Sequence, residues 1–130
     1  MTIDVRPRRS FLYMPGANAR ALEKGRALPA DGLILDLEDA VSPDSKTAAR
    51  ENIRGALAAG GYGGREIVVR VNGLNTPWGY DDLAMAAVSG ADGVALPKVE
   101  SAEAVRQADA ELRAAGAPES LRLWCMVETP

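Results

Sequence analysis

The amino-acid sequence predicts an α/β protein built on a parallel β-sheet. Five short apolar runs rich in β-forming residues recur along the chain, at residues 10–15, 32–39, 66–72, 93–99 and 121–128. Each run is apolar almost throughout, as strands covered on both faces are. Their starts fall about 22 to 34 residues apart, and segments with helix signals separate them. Strands that alternate with helices at this spacing form βαβ units, in which consecutive strands run parallel.

Four helices are predicted between these runs from their start and stop signals. Asn, Asp and Ser side chains accept hydrogen bonds from the free N–H groups that begin a helix, and Gly lets the chain leave its end. The predicted helices are 19–28 after Asn18, 45–59 between Asp44 and Gly60, 80–89 between Gly79 and Gly90, and 102–115 between Ser101 and Gly116.

Composition narrows the possible chemistry. The chain of 130 residues is 47% hydrophobic and 25% charged, with a net charge of −3, so nothing indicates a nucleic-acid or membrane partner. No apolar run approaches the ~20 residues of a membrane span, and we expect a cytoplasmic protein.

The single cysteine, Cys125, lies in an apolar run and is expected in the core. Because histidine is absent, catalysis must use carboxylates, Lys, Arg or an oxygen-ligated metal.

Polar residues stand at the carboxyl ends of four consecutive predicted strands. Asp36, Glu38 and Asp39 end the second strand, and Arg70 ends the third. Lys98 follows the fourth strand, and Glu128 the fifth. The carboxyl ends of parallel strands meet at one rim, where α/β proteins place their active sites. We expect Asp36 or Glu38 to pair with Arg70, and the Glu38–Asp39 pair to hold Lys98.

Several stretches together resemble one known family. The stretches are RSFLYMPG at 9–16, LILDLEDAVSPDSKTAAR at 33–50, VVRVNGLNTPWGYDDL at 68–83, ALPKVES at 95–101 and VETP at 127–130. They look like the successive motifs of the HpcH/HpaI aldolase and citrate lyase β-subunit family, above all its CitE-like and malyl-CoA lyase branch. The resemblance implies a TIM (β/α)₈ barrel, a Mg²⁺-dependent carbon–carbon lyase activity on acyl-CoA thioesters or oxo acids, and a trimer or hexamer.

The resemblance also implies roles for residues of the rim. Glu128 of VETP matches the family's first Mg²⁺ carboxylate, which also meets the substrate. Arg70 of RVN matches the arginine that holds the substrate carboxylate, and a guanidinium suits that task because it forks bidentately. Glu38 and Asp39 of DLEDAV match catalytic acids close to the metal.

Two further residues fall where the malyl-CoA lyase branch contacts CoA. These are Tyr13, in the first strand, and Lys24, in the first helix. The chemistry fits a metal-dependent reaction: cleavage between Cα and Cβ of a β-hydroxyacyl thioester leaves an enolate, and Mg²⁺ acts as the Lewis acid that polarises a carbonyl oxygen. Mg²⁺ prefers oxygen ligands and is usually held by one or two carboxylates with water and substrate.

Length leaves other interpretations open. A (β/α)₈ barrel needs about 250 residues, and the sequence carries only five strand-like runs. We therefore expect residues 1–130 to form one domain that supplies about the first five βα units of a longer barrel. The family's second Mg²⁺ carboxylate would lie beyond residue 130. One alternative is a non-catalytic half-barrel that binds a partner. Another is a Schiff-base aldolase that uses Lys98 as its nucleophile.

Overall fold

Five parallel strands form a single sheet in which each strand pairs with the next one along the chain. The computed structural model describes residues 5–130. The order is β1-β2-β3-β4-β5, and every pairing is parallel. The strands are β1 (Phe11–Pro15), β2 (Gly32–Asp36), β3 (Glu66–Arg70), β4 (Gly93–Leu96) and β5 (Arg122–Cys125). The predicted α/β class and parallel sheet are confirmed.

One helix follows each of the first four strands. The helices are α1 (Ala19–Lys24), α2 (Lys46–Ala59), α3 (Gly79–Ala87) and α4 (Ala102–Ala114). The predicted caps of α1 and α4 are confirmed, since Asn18 and Ser101 accept hydrogen bonds from the backbone N–H groups of Ala21 and Ala104. Within residues 5–130, no helix combines the length and apolar character that crossing a membrane requires.

The predicted end of the first helix and the predicted cap of the second are wrong, and the third helix ends at Ala87, two residues before its predicted end. The first helix was expected to reach residue 28, but α1 ends at Lys24 and the chain continues through tighter i→i+3 turns. The guanidinium of Arg26, just past this end, donates to the carbonyl oxygens of Gly60 and Ala56. Asp44 was expected to cap α2, but it lies inside a 3₁₀ turn, Pro43–Ser45. An N-cap needs an extended backbone, which that turn does not provide.

The sheet has two apolar faces, and the helices cover one of them. Leu33, Leu35 and Leu37 point into a cluster that also contains α2's Ile53 and α4's Leu112, all fully buried. Burying each such side chain contributes roughly 1.5–3 kcal/mol. The other face carries a smaller cluster made of strand residues and the segment after β5: Ile34, Val68 and Ala95, with Phe11, Trp124 and Met126 packed against them. Helices on a single face of a parallel sheet are the arrangement of a barrel wall.

Cys125 does not lie in the core. It was expected to be packed, but it is exposed at the end of β5. Within the described residues β5 pairs only with β4, so its side chains are less covered than those of the central strands. The apolar run around Cys125 therefore marks a strand without marking a buried thiol.

Strand register sets the rim on which polar residues meet. Pro15 stands beside Asp36, Asp36 beside Arg70, and Arg70 beside Ala95. Neighbouring strands lie about 4.8 Å apart. Side chains that project from these paired residues on the same face of the sheet are therefore close enough to touch.

Candidate active site

The centre of the rim is a buried pair of charged residues. Arg70 donates from Nε to Asp36 Oδ1 at 2.6 Å and from Nη2 to Asp36 Oδ2 at 2.8 Å. The two carboxylate oxygens of Asp36 also accept from the backbone N–H groups of Glu38 and Ala40, both at 2.9 Å. Asp36 is fully buried, and Arg70 is 9% exposed. The predicted pairing of Arg70 is confirmed, and Asp36 has a structural role.

This environment keeps both members of the pair charged. Burial acts to raise the pKa of Asp36, but the hydrogen bonds from Arg70, Glu38 and Ala40 outweigh it and leave the pKa below its ordinary value. The hydrogen bond to Asp36 raises the pKa of Arg70, although burial opposes it. Arg70 therefore offers a permanent positive charge in a fixed orientation.

Part of the Arg70 guanidinium remains available to a ligand. A guanidinium has five N–H bonds, and Asp36 uses two of them. Nη1 lies 3.4 Å from Glu38 Oε1, which is outside good hydrogen-bond length. The Tyr13 ring covers one face of the guanidinium at 4.9 Å from its carbon to the ring centroid. Tyr13 is 49% exposed, and its observed partner is Arg70. Its predicted contact with CoA stays a prediction.

Glu38 links the strand ends of β2, β3 and β4. It is 8% exposed, and its Oε2 accepts from Lys98 Nζ while its Oε1 faces Arg70. Lys98 Nζ also lies 3.6 Å from Asp39 Oδ1, so the predicted pairing of Lys98 with these two acids is confirmed. Oε1 of Glu38 is buried and accepts no hydrogen bond within the described residues. A buried acceptor without a partner is expensive, so this atom is suited to a ligand donor.

Lys98 is held as a cation in an uncommon backbone conformation. Its φ is 50°, the left-handed region that few non-glycine residues adopt and that is often found at functional sites. The hydrogen bond to Glu38 raises the pKa of Lys98, burial opposes this, and the charges of Glu38, Asp39 and Glu128 add to the rise. A Schiff-base nucleophile must be a neutral amine. The raised pKa therefore argues against the Schiff-base alternative.

Glu128 lies past the end of β5 and is exposed. Its charge is the smallest of those that raise the pKa of Lys98, and its expected place on the rim stays a prediction. Within residues 5–130, no group of three or more Asp, Glu, Cys or His side chains is arranged to hold a metal ion. Mg²⁺ can be held by one or two carboxylates, with water and substrate completing its shell. Glu128 fits as one such ligand, and the free Oε1 of Glu38 fits as an acceptor for a metal-bound water.

Lys24 is not brought to this cluster by any observed contact. It is the exposed last residue of α1, and within the described residues its ammonium makes no ion pair or hydrogen bond. Its predicted contact with CoA stays a prediction.

Sequence reasoning missed a buried lysine directly behind the rim. Lys46, the first residue of α2, is 7% exposed, and its ammonium donates to the backbone oxygens of Leu37 at 2.9 Å and Glu38 at 2.7 Å. The Trp78 ring lies 5.3 Å from the same nitrogen. Burial lowers the pKa of Lys46, and nearby acids, Asp36 first among them, act to raise it. No sequence signal distinguishes this lysine from the solvated lysines common near helix ends.

A pocket of about 730 Å³ opens beside the rim. The loops that follow β2, β3 and β4 line it, and α4 closes one side. Glu38, Asp39, Lys46, Trp78 and Lys98 are among the side chains at its wall. This volume lies within the usual range of small-molecule sites.

The fold and the rim together define an α/β protein of the TIM-barrel type with a charged site at the carboxyl ends of its strands. Residues 9–130 match the family model described as HpcH/HpaI aldolase/citrate lyase. The chain belongs to this family, as its motifs led us to expect.

Individual relatives point to related chemistries. The chain is 49% identical over 129 residues to a (3S)-malyl-CoA thioesterase of Cereibacter sphaeroides (strain ATCC 17025 / ATH 2.4.3), covering 99% of this chain and 43% of the relative. It is 40% identical over 130 residues to the citrate lyase subunit beta of Escherichia coli (strain K12), covering 96% of this chain and 43% of the relative. The chain therefore spans less than half the length of these two curated relatives.

A solved structure shows the same architecture. It is the citrate lyase beta subunit of M. tuberculosis, complexed with oxaloacetate and magnesium, and it superposes with a TM-score of 0.69 at 32% identity. The match covers 92% of this chain and 47% of that one.

Proposed function

We propose that this chain carries part of the active site of a Mg²⁺-dependent carbon–carbon lyase that cleaves or forms a 3-hydroxyacyl-CoA of the citryl-CoA or malyl-CoA type. The observation that carries the proposal is the convergence of Arg70, Glu38 and Lys98 on one rim, with Arg70 fixed by Asp36. The M. tuberculosis structure, which holds oxaloacetate and magnesium, supports the choice of ligands.

Arg70 is the proposed binding residue for the carboxylate of the oxo acid. Three of its N–H bonds are not used by Asp36, and a carboxylate can accept from two of them at once. Because Asp36 orients the guanidinium before the ligand arrives, little side-chain entropy is lost on binding.

Glu38, with Asp39 beside it, forms the proposed catalytic carboxylate pair, with Glu38 as the base in the direction of cleavage. Cleavage breaks the Cα–Cβ bond of the thioester, the electron pair passes to Cα as an enolate, and the β-hydroxyl loses its proton as the carbonyl forms. The enolate then takes a proton from water at Cα and becomes the acyl-CoA product. Oε1 of Glu38 accepts no hydrogen bond within the described residues and is free to receive that hydroxyl proton, directly or through a water. Lys98 keeps its neighbouring oxygen paired.

The proposed metal ligand is Glu128, with Tyr13 and Lys24 as proposed contacts of the CoA portion. When bound, Mg²⁺ supplies Lewis-acid polarisation of a carbonyl oxygen. Exposure suits Glu128 to this role, since a ligand carboxylate must reach an ion that also keeps water and substrate in its shell.

The assembly in which this would operate is also a proposal. We infer that residues 1–130 form one domain supplying about the first five βα units of a barrel, since the curated relatives are more than twice as long. We further propose a cytoplasmic homo-oligomer, a trimer or hexamer, whose partners are small molecules and not nucleic acids or membranes.

Thioester hydrolysis is a second candidate, favoured by the 49% identity to a (3S)-malyl-CoA thioesterase. The same rim would serve it, because hydrolysis also needs the substrate carboxylate held and a water deprotonated. The two activities differ in the bond that breaks, so their products differ.

One incubation separates the two candidates. The chain is mixed with (3S)-malyl-CoA and Mg²⁺, and the products are followed by chromatography and by a thiol reagent. A lyase yields glyoxylate and acetyl-CoA without a free thiol, whereas a thioesterase yields malate and one free thiol for each molecule consumed. A parallel sample with EDTA reports the metal requirement. Absence of both product sets would reject (3S)-malyl-CoA as a substrate of this chain and favour the binding half-barrel.

A further inference from the structure

The segment that carries Glu38 to the rim is held by a buried ammonium group. β2 ends at Asp36, and Leu37 and Glu38 are the next two residues of the chain. Lys46 Nζ donates to both, at 2.9 and 2.7 Å. Leu37 O also accepts from the Asn72 side-chain amide at 2.9 Å, and Glu38 O accepts from a backbone N–H.

Asp82 and Arg50 in turn hold Asn72 in place. Asp82, which is fully buried, accepts from the backbone N–H of Asn72 at 3.0 Å and from its side-chain amide at 2.6 Å. Arg50 donates to the other oxygen of Asp82 at 2.8 Å. Arg50 follows Lys46 by four residues, one helical turn, so the two lie on one face of α2. That face therefore holds the ends of both β2 and β3.

Lys46 is an unusual buried cation. Within residues 5–130, no carboxylate oxygen forms an ion pair with it, and its charge is met by two carbonyl dipoles and the face of Trp78. Burying an ammonium without a carboxylate costs more than burying a methionine of similar size. Apolar packing alone does not explain a lysine at position 46.

Glu38 depends on this support for its direction. Its carboxylate has one hydrogen-bonding partner, Lys98, which is itself half exposed, and its Oε1 has none. Apart from the 3.4 Å ion pair of Oε1 with Arg70 Nη1, side-chain contacts constrain the Oε1 position only weakly, and the backbone from which Glu38 projects must supply the rest.

We propose that Lys46 is a positioning residue, which locks the Leu37–Glu38 backbone so that Glu38 Oε1 stays aimed at Arg70 and the ligand. This inference rests on the proposed function for its catalytic consequence, but its geometry can be tested separately. Lys46 does not touch the reacting groups; it acts through the two carbonyl groups.

The test compares two variants of the full chain. Lys46→Met removes the ammonium and keeps the length of the apolar stem. Arg54→Met is the matched control, since it removes a positive charge from an exposed position on the same helix. NMR spectra of the side-chain ¹⁵N and ¹³C groups of Arg70 and Lys98 report the geometry of the rim. In the unaltered chain, scalar couplings across hydrogen bonds are sought between Lys46 Nζ and the Leu37 and Glu38 carbonyl carbons.

Turnover of (3S)-malyl-CoA with Mg²⁺ is measured in parallel. A misplacement of about 1 Å can cost about 100-fold in rate, so Lys46→Met should lower kcat by about 10- to 100-fold. KM should change less than about twofold, because Arg70 and the CoA contacts remain. The Lys98 side-chain signals should shift in Lys46→Met and stay unchanged in Arg54→Met.

The outcomes separate the positioning role of Lys46 from the proposed function. Unchanged Lys98 and Arg70 signals in a folded Lys46→Met chain would overturn the positioning role, and so would an unchanged kcat. If the unaltered chain shows no turnover, the proposed function fails while the NMR comparison still decides the geometry. If Lys46→Met does not fold, the couplings in the unaltered chain decide it, since their absence would show that the ammonium does not hold the two carbonyl groups.

Discussion

Replacing Asp36 by asparagine tests whether the buried pair with Arg70 organises the rim. Each carboxylate oxygen of Asp36 accepts two hydrogen bonds, one from Arg70 and one from a backbone N–H group: Oδ1 receives Arg70 Nε and the Glu38 N–H, and Oδ2 receives Arg70 Nη2 and the Ala40 N–H. An asparagine of nearly the same shape turns one of these acceptors into an NH₂ group. Whichever way the amide is oriented, one guanidinium N–H and one backbone N–H then face a donor.

The expected loss of stability follows from the two N–H groups left without an acceptor. Each buried donor left without an acceptor costs about 1–3 kcal/mol, and Arg70 also loses its principal counter-charge. Removing one partner of a buried ion pair typically costs about 3–5 kcal/mol, and we expect Asp36→Asn to fall in this range. For a domain of this length the midpoint of thermal unfolding should drop by roughly 10–20 °C.

Urea denaturation followed by circular dichroism measures this cost. Asp109→Asn is the control, because Asp109 is half exposed and its pair with Arg113 is 3.4 Å long. The control should change the free energy of unfolding by less than about 0.5 kcal/mol. An Asp36→Asn variant that lost no more than about 1 kcal/mol would refute the reasoning that this pair is buried and fully hydrogen-bonded.

Four further results are expected. Because the folded-state pKa of Asp36 lies below its ordinary value of 3.8, its contribution to stability is present above pH 3.8 and lost as the pH falls through the folded pKa; Asp36→Asn should flatten this part of a stability–pH profile, and an unchanged slope would contradict it. Arg70→Lys should lower turnover of (3S)-malyl-CoA by about 100-fold or more, since an ammonium cannot hold a carboxylate bidentately; near-normal turnover would exclude Arg70 as the carboxylate site. Glu128→Gln should weaken Mg²⁺ affinity by at least about tenfold in calorimetry with oxaloacetate present, and equal affinity would remove Glu128 from the metal site. Borohydride with glyoxylate should trap no adduct at Lys98, whose raised pKa keeps it protonated; a trapped adduct seen by mass spectrometry would restore the Schiff-base mechanism.

Local patterns were sufficient to predict the strands, their parallel order and the rim. The apolar runs and helix signals repeat at short range, and a residue's place in a strand decides which way it points. For this reason Asp36, Arg70 and Lys98 could be placed together from the sequence alone, and Arg70 and Lys98 meet the acids that were expected.

Only the tertiary structure decided how individual polar groups are satisfied. Strand register placed Asp36 beside Arg70, so that its carboxylate accepts two hydrogen bonds from the guanidinium. The packing of α2 against the ends of β2 and β3 buried the Lys46 ammonium, which donates to two backbone carbonyl groups. Long-range contacts of Arg26 accompany the early end of α1, and the place of β5 in the sheet left Cys125 exposed. Hydrogen bonds between residues distant in sequence depend on where whole elements dock, and short-range patterns do not contain that information.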